Sequence, residues 1–402
     1  MQVLDVHPLV RFGVDRVVEE PTLLGPARAI GLVTNDAARL AANASVYARV
    51  ALQAAGVPLV RLFSPEHGLG ASASDGAAVT DSTDARTGLP VVSLYGERLW
   101  PTREQIAGLD LMLFDVPDIG ARFHTYASTL HHLVRTCAEA GLPLVVLDRP
   151  NPLGGELSSC EGPMLDESLA SFIGADRMPI RHGLTLGELA TLWQRERWPD
   201  ASLRVIACAG WRRTMRWPDT GLPWVPTSPS MPSFASALCY PGTCLFEGTN
   251  LSVGRGTDEP FQHVGAPWLD PDLVMAWLAR ASLPGVTIEH DAFVPDNPPF
   301  VGERCQGLRV IVTDAAVHQP VALGLRLLAS VIATQRAKFV WTRYPTAANP
   351  SGDKHFDLLI GRHEVREQLD ASAERVDAAT IATWTAAEGW RARVAGSLLY
   401  LT

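Results

Sequence analysis

The sequence predicts an α/β protein, a parallel sheet covered by helices on both faces, followed by a smaller α+β part. Three observations carry this. Apolar runs of strand length alternate with helix-like stretches through the first half of the chain. Those runs are apolar at consecutive positions, as strands buried on both faces must be. After a Pro/Trp/Ser-rich stretch at 217–232, which cannot be regular, the alternation is lost.

Taken in order, residues 29–35 read as a first strand and 36–55 as an Ala-rich amphipathic helix. A second strand at 59–63 runs into Ser64-Pro-Glu-His-Gly68, and a Gly/Ala/Ser/Asp loop follows to Thr87. Strands at 90–95 and 109–115 flank a short helix near 103–108. A helix over 125–140 precedes a strand at 142–147 that ends in Asp148-Arg-Pro-Asn151. Right-handed crossovers then bring these strand C-termini to one edge of the sheet. A helix over 184–193, with Thr185 as its N-cap, leads to a strand at 203–207. The boundary is placed near Phe234, giving domains 1–234 and 235–402. The second has helices near 271–282 and 321–334 and strands near 307–313 and 338–342.

A chain of 402 residues is too long for one ordinary core, which supports two domains. Its 47% hydrophobic and 19% charged residues are those of a globular protein, not a disordered or fibrous one. With 43 acids against 34 bases, the net charge of −9 argues against nucleic acid or an anionic membrane as partner. The six cysteines show no zinc spacing, so no metal is expected. Cys239 and Cys244 are close enough for a disulfide, and free thiols are the equal alternative. No stretch is apolar enough to span a bilayer, and residues 1–8 lack the features of a secretory signal, so a cytoplasmic protein is expected. Walker A, HExxH and GxSxG patterns are absent, and Gly68-Leu-Gly70 lacks the third glycine of a dinucleotide fingerprint. No cofactor is expected.

Chemistry concentrates at strand ends, where open α/β sheets bind ligands. Glu66 and His67 place two proton-transfer groups at one tip. The structural alternative there is a turn that caps a helix or bonds loop backbone. The next tip packs Asp115, Asp118, Arg122, His124 and Tyr126 together, against the alternative of a solvated loop with an internal Asp–Arg pair. Asp148, Arg149 and Asn151 lie on a proline-stiffened loop suited to a polyol, or to Asx turns that stabilise only themselves. Downstream, Glu161 and His182 are further candidates. Glu247, Asn250 and Arg255 supply acid, amide and cation in a Gly-rich run whose alternative is a plain surface loop. Trp217, Trp224 and Trp268 offer ring faces for sugar C–H groups, although most Trp residues are core.

Nine motifs in order resemble one family over nearly the whole chain. Among them are Gly31-Leu-Val-Thr-Asn35, Ser64 to Gly68, Asp115 to Tyr126, Leu147 to Gly155, His182 to Leu189 and Tyr240 to Ser252. The family was long catalogued as domain of unknown function 1343, and its characterised members are NamZ-like exo-β-N-acetylmuramidases. The resemblance implies a Rossmann-like N-terminal domain, a smaller C-terminal domain and a site in the cleft between them. It implies release of N-acetylmuramic acid, or a related amino sugar, from the non-reducing end of peptidoglycan fragments. Glu66 would be the general acid and base, oriented by His67. Asp115, Asp118, Glu247 or the substrate's own acetamido group would fill the second role, with Asp115 placed among the catalytic residues. Asn35, Asp118, Arg122, His124, Tyr126, Asp148, Arg149, Asn151, Glu161, His182, Glu247, Asn250 and Arg255 are the expected sugar binders. One departure stands out: an Arg and a Glu that the family keeps after its His-Gly pair are missing from Leu69-Gly-Ala-Ser-Ala-Ser-Asp-Gly-Ala77. If that Arg pairs with the lactyl carboxylate, this chain prefers a different or unmodified amino sugar. The runner-up reading is an amino-sugar-binding protein with weakened catalysis. The expected partner is a small amino-sugar or muropeptide substrate, with a homodimer that no exposed stripe marks.

Overall fold

The computed structural model describes residues 10–401, so the reading of residues 1–8 lies outside it. Seven strands form the main sheet: β1 (Ile30–Thr34), β2 (Leu59–Ser64), β3 (Ser82–Thr83), β4 (Pro90–Ser93), β5 (Leu111–Asp115), β6 (Leu144–Leu147) and β7 (Leu203–Ile206). Their order is β3-β4-β2-β1-β5-β6-β7, and every pair is parallel except β3 with β4. β1, β5 and β6 are buried at every position, which is why their sequences are continuously apolar. Alternate residues face opposite layers. Leu32, Leu62, Leu113 and Leu147 pack with the helices Gly13–Glu19 and Ala48–Ala54. Val33, Phe63, Phe114 and Val146 pack with the helices Tyr126–Ala140 and Leu186–Arg197. Thr185 caps the latter helix reciprocally with Glu188, as its spacing predicts.

Two expected elements differ. The helix over 36–55 is formed only at Ala48–Ala54, because Asn35 and Asn43 bond the N–H groups of Ala37 and Ser45 and turn the chain instead. No strand forms at 338–342. There, Asn250 bonds the backbone at Lys338 and Val340, leaving only an isolated bridge between Thr249 and Trp341.

A second sheet, in the order β8-β10-β9, is antiparallel: β8 (His263–Ala266), β9 (Val286–Phe293) and β10 (Cys305–Val312). It shares a core with the helices Phe234–Thr243, Pro271–Leu278 and Pro320–Gln335. The chain end then returns to the first sheet, a path that a cut near Phe234 leaves out. Trp390 and Val394 enter its core, and the Tyr400 hydroxyl bonds the Asp148 carboxylate. All six cysteines are free thiols, Cys239 and Cys244 included. Among the described residues, no helix is long and apolar enough to cross a membrane.

The helices Phe234–Thr243 and Pro320–Gln335 cross at a glycine pair. A Cβ on Gly324 would lie 2.3 Å from the Gly242 carbonyl oxygen, and one on Gly242 would lie 1.9 Å from that of Pro320. Backbone cannot yield as a side chain can, so Gly324→Ala should destabilise the protein by about 1–3 kcal/mol. Urea unfolding at neutral pH measures this, and an unchanged midpoint would contradict the crossing.

Candidate active site

The site begins with a sharp turn at the end of β2. His67 and Gly68 both adopt the left-handed conformation, with φ of 65° and 71°. A non-glycine residue holds that conformation only where its surroundings enforce it. Here the His67 carbonyl accepts the N–H groups of Ser72 and Ala73, each at 3.1 Å, and its Nδ1 lies 2.8 Å from the Ala73 carbonyl oxygen. A carbonyl only accepts, so Nδ1 carries a hydrogen. The ring is thus oriented by its own loop.

The Glu66 carboxylate accepts the Gly76 N–H at 3.1 Å on one oxygen and the Thr125 hydroxyl on the other. Thr125 directly precedes the helix Tyr126–Ala140, whose N-terminal dipole favours a nearby anion. Burial, and then the charge and hydrogen bonding of Glu66, push the Tyr95 hydroxyl above its ordinary range.

Further along the same loop, Asp75 accepts the Tyr344 hydroxyl at 2.6 Å and lies 3.3 Å from Arg255. Burial would raise its carboxyl, but the charges of Arg255 and His67 and the Tyr344 bond outweigh burial and hold it below the usual carboxylate range. Arg255 also binds Glu247, with Nε at 2.7 Å. Despite burial, Asp75 and Glu247 hold its guanidinium well above its ordinary value. His355 stacks on Tyr344 at 4.6 Å, and neither of its ring nitrogens has a hydrogen-bond partner among the described residues. These groups, with Phe123, Tyr240 and Phe261 as apolar walls, enclose about 600 Å³ of atom-free space, open solvent included.

The residues of this cleft come from both halves of the chain, and so do the likenesses to known proteins. The description "Exo-beta-N-acetylmuramidase NamZ, N-terminal" matches residues 30–235, and its C-terminal counterpart matches 238–400. The chain belongs to the NamZ exo-β-N-acetylmuramidase family. A peptidoglycan beta-N-acetylmuramidase NamZ of Bacillus subtilis (strain 168) is 38% identical over 365 residues, 90% of this chain and 85% of that protein. Two crystal structures of DUF1343 family proteins from Bacteroides fragilis NCTC 9343 share the fold. One gives a TM-score of 0.85 at 29% identity, over 98% of this chain and 100% of its own. The other gives 0.72 at 26%, over 98% and 99%.

Of the residues expected from the NamZ motifs, Glu66, His67, His124, Tyr126, Glu247 and Arg255 line the cleft. Two stand directly behind it. Asp118 bonds His124 at 2.8 Å, and Asn35 donates to the Tyr126 hydroxyl at 3.1 Å. Burial opposes ionisation of Asp118, yet the hydrogen bond from His124 and the His182 ring 3.8 Å away hold its carboxyl far below the usual range. The others are placed elsewhere. Asp115, the expected catalytic partner, is fully buried in a bidentate pair with Arg149 at 2.7 and 3.1 Å, so neither faces the cleft. Arg122 is also fully buried, donating to the carbonyls of Pro163, Met178 and Leu359, and burial draws it down to about 9. Asp148 bonds Thr185, Gly187 and Tyr400. Asn151 accepts the Leu153 N–H in an Asx turn and donates to the Leu184 carbonyl at 2.9 Å. His182 accepts the Leu184 N–H, and Asn250 is consumed by backbone. Trp217 and Trp224 meet edge to face at 5.6 Å beside a separate apolar groove, while Trp268 packs on the second core.

The sequence reading missed Asp75, Tyr95, Thr125, Tyr344 and His355. Asp75 carried a signal, since it lies in the segment that departs from the family pattern. Thr125 and Tyr95 lie in segments already singled out, the Asp115–Tyr126 tip and the strand at 90–95, but as uncharged hydroxyls, whereas Tyr344 and His355 lie outside any strand-tip motif. Glu66, His67 and Asp75 each offer an atom within 4.8 Å of the others, the spacing of a metal triad. The Arg255 guanidinium beside Asp75 opposes a cation there.

Glu161 caps the helix Pro320–Gln335, accepting the N–H groups of Val321 and Ala322 at 3.1 and 2.6 Å. Burial raises its carboxyl to about 7 from an ordinary 4.5, against the lowering effect of those bonds. Between these values the folded state binds more protons than the unfolded, so the contribution of Glu161 is complete below 4.5 and lost as pH rises through 7. Glu161→Gln cannot titrate. Wild type should therefore lose stability relative to this variant between pH 4.5 and 7, as read by urea unfolding across that range. A difference independent of pH would refute it.

Proposed function

We propose that this protein is an exo-acting β-N-acetylmuramidase with Glu66 as its general acid and base. It removes N-acetylmuramic acid, or a closely related amino sugar, from the non-reducing end of peptidoglycan fragments. Family membership supports the bond cleaved and the substrate class. The observation that carries the mechanism is the Glu66 carboxylate, aimed into the cleft by the Gly76 N–H and the Thr125 hydroxyl. Held this way, it gives a proton to the leaving glycosidic oxygen and later takes one from water. His124, backed by Asp118, offers its second ring nitrogen to the sugar. Glu66→Gln should lower kcat by about 10²–10⁴-fold with an unchanged melting curve. Turnover near wild type would remove Glu66 from the reaction.

Recognition of the lactyl group follows from charge. Arg255 is the one Arg or Lys among the described residues lining the cleft, and Asp75 and Glu247 already share it. A lactyl carboxylate therefore meets hydroxyls and ring nitrogens rather than an uncompensated cation. The kcat/KM of an aryl β-N-acetylmuramide should exceed that of the matching glucosaminide by less than about 200-fold, the range of steric rather than polar discrimination. A larger ratio would show a dedicated carboxylate site.

A further inference from the structure

We propose that Asp75 is the nucleophile of a retaining double displacement, working with Glu66 as acid and base. The proposal rests on the glycosidase reading above and adds the second group that reading lacks. Asp75 and Glu66 both line the cleft, and an oxygen of each lies within 4.8 Å of the other. Retaining glycosidases hold their carboxyl groups about 5–5.5 Å apart, whereas inverting ones need about 6.5–9.5 Å to admit a water between them. A nearest-oxygen gap below 4.8 Å is narrower than the one a water between the two groups needs, which argues for the first class.

The other carboxylates near the strand tips are closed. Asp115 is locked to Arg149, Asp118 accepts from His124 and the Gly120 N–H, and Glu247 is clamped on Arg255. Asp75 is held without being blocked. A carboxylate offers about four lone-pair sites. Tyr344 uses one on Oδ2, and Arg255 approaches Oδ1 only to 3.3 Å. Both contacts also keep the group ionised, as a nucleophile must be.

The separation of the two carboxylates is set by backbone. Gly76, the residue after Asp75, gives its N–H to Glu66, and its carbonyl accepts the Ala347 N–H. Gly76 sits at φ +67°, and a Cβ there would lie 2.7 Å from Thr346, so the position suits glycine alone. The loop that looked like a lost family feature thus delivers a carboxylate of its own.

The reaction balances with these groups and water. In the first step the Glu66 proton passes to the glycosidic oxygen, the C1–O bond breaks, and an Asp75 oxygen bonds to C1. In the second, Glu66 takes a proton from water, the water oxygen bonds to C1, and the C1–Asp75 bond breaks. The products are the free sugar and the shortened glycan.

The test uses the whole protein and an aryl β-N-acetylmuramide or the matching glucosaminide. Proton NMR of the wild-type reaction should show the β-anomer formed first. Asp75→Ala should lower kcat by about 10³-fold or more, and added sodium azide should restore turnover with an α-glycosyl azide as product. A structural role for Asp75 would not produce that azide. Should Asp75→Ala fail to fold, Asp75→Asn keeps the volume, and a comparable loss with an unchanged melting curve supports the assignment. An α-anomer formed first, either variant within tenfold of wild type, or a folded Asp75→Ala that azide does not rescue would overturn it. Retention of configuration at full rate in Asp75→Ala would assign the attack to the substrate's acetamido oxygen. Absence of any wild-type turnover would instead sink the glycosidase reading and the assignment together.

Discussion

The cleft depends on one buried cation. Arg255 is 7% exposed, and a guanidinium so far from water costs several kcal/mol unless anions meet it. Two do, from segments far apart in the chain: Glu247, ahead of the second sheet, and Asp75, in the loop after β2. The same loop is tied again through Tyr344 to Asp75 and through Ala347 to Gly76. Gly76 in turn fixes Glu66. The proton-transfer group on the first sheet is therefore aimed by a loop that the second half of the chain holds in place.

Behind the cleft, other buried charges frame the strand ends. Asp115 and Arg149 close the tip of β5 against the tip of β6. Asp148 gathers Thr185, Gly187 and Tyr400. Among the described residues Arg122 has no carboxylate partner, and it spends its donors on three carbonyls, one of them on the helix His355–Ile360 that brings His355 to the cleft. Truncating one member of such a set leaves the rest buried and unsatisfied. The polar residues clustered at the strand tips thus fall into two groups. Some face the substrate space, and more of them build the rigid rim that positions those few.

Strand positions were legible because continuous apolar runs between turn residues have one economical solution, a doubly covered parallel sheet. Glu66 and His67 were legible for a related reason, since a buried strand ending in titratable groups exposes them at its tip. Asp115, Arg149 and Asp148 satisfied the same pattern and were misplaced by it. A strand end reveals polarity, but not whether a neighbouring tip carries the opposite charge. Asn35 and Asn43 broke an expected helix because their side chains took the N–H groups of Ala37 and Ser45 into local turns, a choice that Ala-rich periodicity conceals.

The linear chain alone determined the layered sheet, the edge on which chemistry gathers and the Glu66–His67 tip, because each follows from local periodicity and the handedness of crossovers. Tertiary structure decided which carboxylate stands opposite Glu66. That choice required Asp75, Arg255 and Tyr344 to converge from three segments, and spacing along a sequence does not encode the distance between side chains that meet only after folding.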